Sequence, residues 1–118
     1  MYKSKDDLPV MMDQPGVKSQ LIKWGEMNAA RMQLEKGVDA TPMLKGLPDD
    51  LCPCPHWGYI LKGVLHVRYK DNQEEVIRAG ELFYLPPGHT VWIDEDVDFI
   101  EFSPTAEHDT VLNHMARQ

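Results

Sequence analysis

Two glycine-punctuated segments constrain this chain more than anything else in it. The first runs Cys52-Pro53-Cys54-Pro55-His56-Trp57-Gly58-Tyr59-Ile60-Leu61-Lys62-Gly63; the second runs Gly80-Glu81-Leu82-Phe83-Tyr84-Leu85-Pro86-Pro87-Gly88-His89. Each sets sulfur or imidazole donors beside a strand that ends in a sharp turn. Glycine supplies the positive φ such turns need, and proline removes a ladder donor, so the strands between them are short and bounded. Together they predict a small β-barrel with a metal or ligand site at its mouth.

The flanking sequence extends this pattern. Tyr59 to Lys70 reads as a strand with a pause at Gly63, with Leu65, Val67 and Tyr69 on one face and His66, Arg68 and Lys70 on the other. Asp71-Asn72 is a hairpin turn, since both residues tolerate positive φ. Further strands are expected at Glu75 to Arg78, Leu82 to Leu85, Thr90 to Ile93 and Val97 to Phe102. Such regular spacing predicts an all-β, antiparallel architecture. Residues 25–35 mix helix formers with a period-two pattern, and the strand-rich context favours a strand. Residues 1–24 are polar and broken by Pro9, Pro15 and Gly16, which predicts an N-terminal arm. Residues 37–56 carry Gly37, Pro42, Gly46, Pro48, Pro53 and Pro55 and form a long irregular connection into the Cys/His segment. The body of the fold is thus residues 25–104. A C-terminal helix is expected over 105–118, capped by Thr105, with Val111, Leu112 and Met115 as its apolar stripe and with His108 and His114 exposed.

Length and charge narrow the function classes. The 118 residues suit one domain, with a modest core. A net charge of -7 without a Lys/Arg stripe argues against nucleic-acid binding. No apolar run reaches membrane-spanning length, and the first residues lack a signal peptide's apolar stretch, so a cytoplasmic protein is expected. Cys52 and Cys54 are two residues apart; extended chain sets their α-carbons about 6.6 Å apart, near the upper limit for a bridge. In a reducing compartment both are thiols.

The pattern resembles the cupin family. Gly80, Pro86 and Gly88 match the frame of that family's second motif, and Tyr59-Ile60-Leu61-Lys62-Gly63 is similar to the glycine-ended strand of its first. The resemblance covers about residues 27 to 102. It implies a cupin-type barrel (a double-stranded β-helix or jelly roll), a homodimer, and an active site between the motifs. The ligand positions depart from the family. Its glutamate position falls on His56, its second histidine near Cys52, its first near Asp50, and its last on Val91, with His89 two residues earlier. The usual ferrous or manganese site is therefore not carried over as it stands.

A different donor set remains. Cys52, Cys54 and His56 alternate at i, i+2 and i+4, which in extended chain points all three to one face. One ion can take adjacent pairs, and all three only if the prolines bend the chain, because i to i+4 spans about 13 Å in a straight strand. His89 from the second motif would complete the set, whose softness points to zinc over manganese or magnesium; the cofactor expected is a divalent metal, zinc or iron. The competing expectation is inert packing, since buried cysteines behave as small hydrophobes. Trp57, Tyr59, Tyr84 and Trp92 are expected either to line a pocket for a small-molecule ligand or to fill the core. Two functions stay open ahead of a third, a purely structural or assembly role. One is a metal-dependent enzyme acting on a small anionic or carbonyl-bearing metabolite. The other is a non-catalytic binding or sensing module with a degenerate metal site, motivated by Val91.

Overall fold

The computed structural model describes residues 1–117, so the final residue of the expected helix, Gln118, lies outside the described residues. Among the described residues nine strands precede one α-helix: β1 (Val10–Gln14), β2 (Val17–Trp24), β3 (Met27–Leu34), β4 (His56–Lys62), β5 (Val64–Tyr69), β6 (Glu74–Arg78), β7 (Leu82–Leu85), β8 (His89–Trp92), β9 (Val97–Pro104) and α1 (Thr105–Ala116). A six-stranded sheet has the order β1-β2-β3-β9-β4-β7, and a three-stranded sheet has the order β6-β5-β8, with antiparallel pairing throughout.

Side-chain alternation produces the layering. Val97, Phe99, Glu101 and Ser103 of β9 are buried, as are His56 and Ile60 of β4 and Leu65 and Val67 of β5. The core forms where Leu34, Ile60, Phe83, Leu85, Val97 and Phe99 of the large sheet meet Leu65, Val67 and Ile77 of the small one. Burial of these side chains supplies the main favourable term, about 1.5–3 kcal/mol for each large one. One end of this interior is apolar, and the other, towards the C-terminus of β9, is polar.

The antiparallel jelly-roll class agrees with the sequence reading, but the expected closure does not. The two sheets do not close into a barrel. The chain changes sheets at Gly63, between β4 and β5, and the hydrogen-bond ladder stops at that corner. The strand expected over residues 25–35 is present as β3.

The expected N-terminal arm is corrected for most of its length. Residues 10–24 form the β1-β2 hairpin, and β2 pairs with β3 along its whole length. Pro15 and Gly16 do not break the strands; they are the two central residues of the hairpin loop between Gln14 and Val17. Proline at the first central position and Gly16 at φ +85° at the second suit a type II turn. Buried polar Ser19 and Gln20 hid the amphipathic signal. Gln20 Nε2 donates to the Leu8 carbonyl at 2.8 Å and so ties down the segment before β1. Arg31 then clamps Asp6 at 2.6 Å and Asp98 at 2.7 Å.

The corner glycine generates a test. Gly63 has φ +82°, and a Cβ there would lie 2.0 Å from the Asp96 carbonyl oxygen. At Gly88, with φ +92°, a Cβ would come no nearer than 3.7 Å to the Lys70 side chain. Gly63→Ala is expected to cost about 2–5 kcal/mol, overlap added to left-handed strain, and Gly88→Ala about 1–2 kcal/mol. Thermal denaturation of both variants checks the order; equal melting temperatures would refute the steric account of the corner.

Candidate metal centre

Two backbone hydrogen bonds bring the glycine-punctuated segments together. Cys52 N–H donates to the His89 carbonyl and Gly88 N–H donates to the Cys52 carbonyl, each at 2.8 Å. After this single bridge the chain cannot continue as a paired strand, because Pro53 and Pro55 have no N–H to give. It bends instead and rejoins the large sheet at His56. The bend brings Cys52 Sγ to 3.7 Å from His56 Nε2, although extended chain would set residues four apart about 13 Å from each other.

Cys52, His56 and His89 thereby present one donor atom each within 4.8 Å of one another, all buried. Their protonation suits ligation. Burial holds His56 at a pKa of about 4. His89 is also lowered to about 4, chiefly by burial, with the Pro86 carbonyl pulling the other way. Both rings are therefore neutral at pH 7. His89 Nδ1 lies 2.8 Å from the Pro86 carbonyl, which can only accept. Nδ1 thus carries the proton, and Nε2 keeps its lone pair. Burial raises the Cys52 thiol to about 11, so without a cation it stays protonated. A divalent ion reverses that preference by its own charge.

A second group lies on the other side of His56. His56, Glu101 and His108 also bring one donor atom each within 4.8 Å of one another. His56 Nδ1 sits 2.6 Å from Ser103 Oγ and 3.8 Å from Glu101 Oε2. Glu101 is buried, which pushes its carboxyl up against the opposing pull of His108 and His89. Burial lowers His108, whose ring centroid is 5.5 Å from that of His56. Asn28, fully buried on β3, ties α1 to this group. Its Oδ1 accepts from the Thr105 hydroxyl at 2.9 Å, and its Nδ2 donates to Asp109 at 3.3 Å and faces His108 Nδ1 at 3.0 Å.

The expected donors part company at Cys54. Its thiol donates to the Pro55 carbonyl at 3.3 Å, and its side chain packs with Leu44, Cys52 and Val111 outside both donor groups. The bend that joins Cys52 to His56 turns the residue between them away, so alternation does not hold there. Both cysteines are free thiols. Trp57 and Tyr59, one residue out of phase with His56, face outward. Trp57 stacks on Tyr84 of β7 at 5.2 Å, and all three are exposed. Trp92 stacks on His66 at 5.4 Å in the small sheet. The four aromatics therefore do not share one pocket with the donors.

Four participants escaped the sequence reading: Asn28, Glu101, Ser103 and His108. Glu101 and Ser103 carried a signal, since period two from Phe99 puts both on the inward face of β9. Asn28 carried none. His108, expected to be exposed, is buried, because the first turn of α1 lies over the polar end of the interior. Thr105 is the first residue of α1 and not its cap, and it spends its hydroxyl on Asn28. His114 is half-buried and bonds the Lys45 carbonyl at 2.7 Å. A groove of about 740 Å³ adjoins the His89 turn, lined by Tyr69, Lys70, Tyr84, Pro86, Pro87 and Gly88. Neither this groove nor another recess, of about 440 Å³, shares a lining residue with either donor group.

No family model and no curated protein matches this chain. Solved structures do resemble it. An RmlC-like cupin from Shewanella frigidimarina is 19% identical over 92% of this chain and 94% of that one, with a TM-score of 0.65. KdgF from Halomonas sp. is 17% identical over 88% and 93%, with a TM-score of 0.61. A putative ethanolamine utilization protein Q from Salmonella typhimurium is 18% identical over 76% and 70%, with a TM-score of 0.57.

The buried imidazoles set an acid limit on stability. Below about pH 6.5 the unfolded chain protonates these histidines, whereas the folded chain keeps His56 and His89 neutral down to about pH 4. The unfolded state then binds more protons, so stability is lost as pH falls from 6.5 towards 4. Glu101 acts in the opposite sense, because its raised pKa lets the folded state take that proton first. One carboxyl against three lowered imidazoles leaves a net loss. The melting temperature of chelator-treated protein is expected to drop by more than about 5 °C between pH 7 and pH 5. The drop should shrink in His89→Gln, and a flat profile would contradict the burial of neutral histidines.

Proposed function

We propose that this chain, which has the cupin fold, is a metal-dependent enzyme acting on a small metabolite through a zinc or iron ion held by Cys52, His56 and His89. The convergence of one thiol and two neutral imidazoles within 4.8 Å carries this reading. One sulfur and two nitrogens form a borderline-soft set that suits zinc or iron better than magnesium or calcium. Three protein donors are the count found at catalytic zinc, where a fourth position stays open. A bound ion would supply Lewis-acid activation. The chain's own part is to hold two imidazoles neutral, to keep His89 Nε2 bare by way of the Pro86 carbonyl, and to shield the donors from water.

The groove beside the His89 turn supports a small substrate; its wall carries Asp71 and Glu75 as well as Lys70, which pairs with Asp49 at 3.1 Å, so the lining selects no charge. The exposed aromatic face of β4 and β7 supports a homodimer, and the two free thiols support a reducing, cytoplasmic setting. One observation favours a second reading, a non-catalytic binding or sensing module. Val91, at the position where the resemblance expects a histidine, packs against the apolar core and offers no donor.

Elemental analysis of protein purified without added metal tests the first reading. About one zinc or iron per chain is expected. It should be lost in Cys52→Ala, His56→Ala and His89→Ala but kept in Cys54→Ala. A metal-free wild-type chain that takes up neither ion would leave only the binding module.

A further inference from the structure

The two donor groups share His56, and its ring nitrogens point into different groups. Nε2 faces Cys52 Sγ at 3.7 Å, while Nδ1 faces Ser103 Oγ at 2.6 Å and Glu101 Oε2 at 3.8 Å. One imidazole cannot give both nitrogens to one ion, so the groups are not halves of a single coordination shell.

Hydrogen-bond accounting separates their roles. Asp109 can only accept, so the atom of Asn28 that faces it is the amide nitrogen; the Thr105 hydroxyl donates to the amide oxygen. The same amide nitrogen faces His108 Nδ1 at 3.0 Å. That contact is a hydrogen bond only if Nδ1 is bare, which puts the His108 proton on Nε2. His89 has the opposite tautomer, fixed by the Pro86 carbonyl. His89 is thus a ready ligand through Nε2, whereas the Nε2 of His108 is a donor.

We infer that the two groups form one centre with divided labour. Cys52, His56 and His89 ligate the ion, while Ser103, Glu101 and the Asn28-held His108 form a supporting layer that keeps the His56 proton on Nδ1. This rests on the function proposed above. Ser103 and Glu101 are positioning residues: they turn the His56 lone pair towards Cys52 and His89. His108 lies within 4.8 Å of the buried Glu101 carboxyl group and does not bind the metal. The layer also couples α1 to the centre, because Asn28 joins both to β3. Outer partners of this kind change metal affinity by about 10- to 100-fold.

Side-chain nitrogen NMR on the full, metal-free chain reads the tautomers directly. The expected result is an Nδ1 proton on His56 and His89 and an Nε2 proton on His108. Zinc titration should then shift Nε2 of His56 and His89 and leave the His108 tautomer in place. Ser103→Ala should bind zinc about 10- to 100-fold more weakly at unchanged stoichiometry, with a mixed His56 tautomer. His108→Gln should keep one zinc per chain. A His108 proton on Nδ1, or zinc coordination by His108, overturns the inference even if zinc binds. No zinc uptake by the wild-type chain overturns the proposed function as well, so the two failures are distinct.

Discussion

The backbone bridge between Cys52 and His89 is the constraint on which the rest of this site depends. Its hydrogen bonds hold an irregular connection of some twenty residues against the first residue of β8. Without it, Cys52 would sit at the end of a loop with no reason to approach either histidine. With it, the following prolines must bend the chain inward, and His56 enters β4 already facing Cys52. A backbone bridge between segments distant in sequence therefore sets a side-chain geometry a few residues along the chain.

The polar end of the interior is costly to bury, and its arrangement shows how that cost is met. Asn28, His56, His89, Glu101, Ser103 and His108 are all removed from water. Unpaired, each would cost about 1–3 kcal/mol or more. Yet among the described residues the only buried side-chain nitrogen or oxygen without a partner is Ser19 Oγ, which is remote in sequence from both donor groups. A satisfied polar network is rigid, and a well-packed apolar end would have stabilised so small a fold more. Three imidazoles gathered around one buried carboxyl are the set that the proposed metal centre would use.

Legibility differed along the chain for identifiable reasons. From Gly58 to Phe102 the strands followed period two and were bounded by glycine and proline, so their positions could be read directly. The β1-β2 hairpin could not, because Ser19 and Gln20 are buried polar residues and Pro15-Gly16 serves equally as a breaker or a turn. Among the donors, Cys52, His56 and His89 stood out by residue type and by their place beside the turns. Cys54 shared that signal, and only the bend after the Cys52 bridge separates it from the others. Glu101 and Ser103 were visible in the alternation of β9, but nothing local distinguished them from the solvent-facing acids Asp94, Glu95 and Asp96. His108 gave no sign of burial, because the apolar face of α1 is narrow.

By itself the sequence determined the antiparallel strands, their turns and the chemical types of the donors, because these follow from local φ preferences and side-chain alternation. The tertiary structure alone decided that the sheets remain open, that the first strands join the large sheet, and that Cys54 stands apart. It also decided that α1 lies over the polar end and brings His108 against Asn28. Those outcomes depend on which distant groups pair, as the Cys52 backbone does with that of His89 and the Asn28 side chain with the first turn of α1. Long-range pairing is a balance of loop entropy, burial and hydrogen bonding over the whole chain, and no local segment encodes that balance.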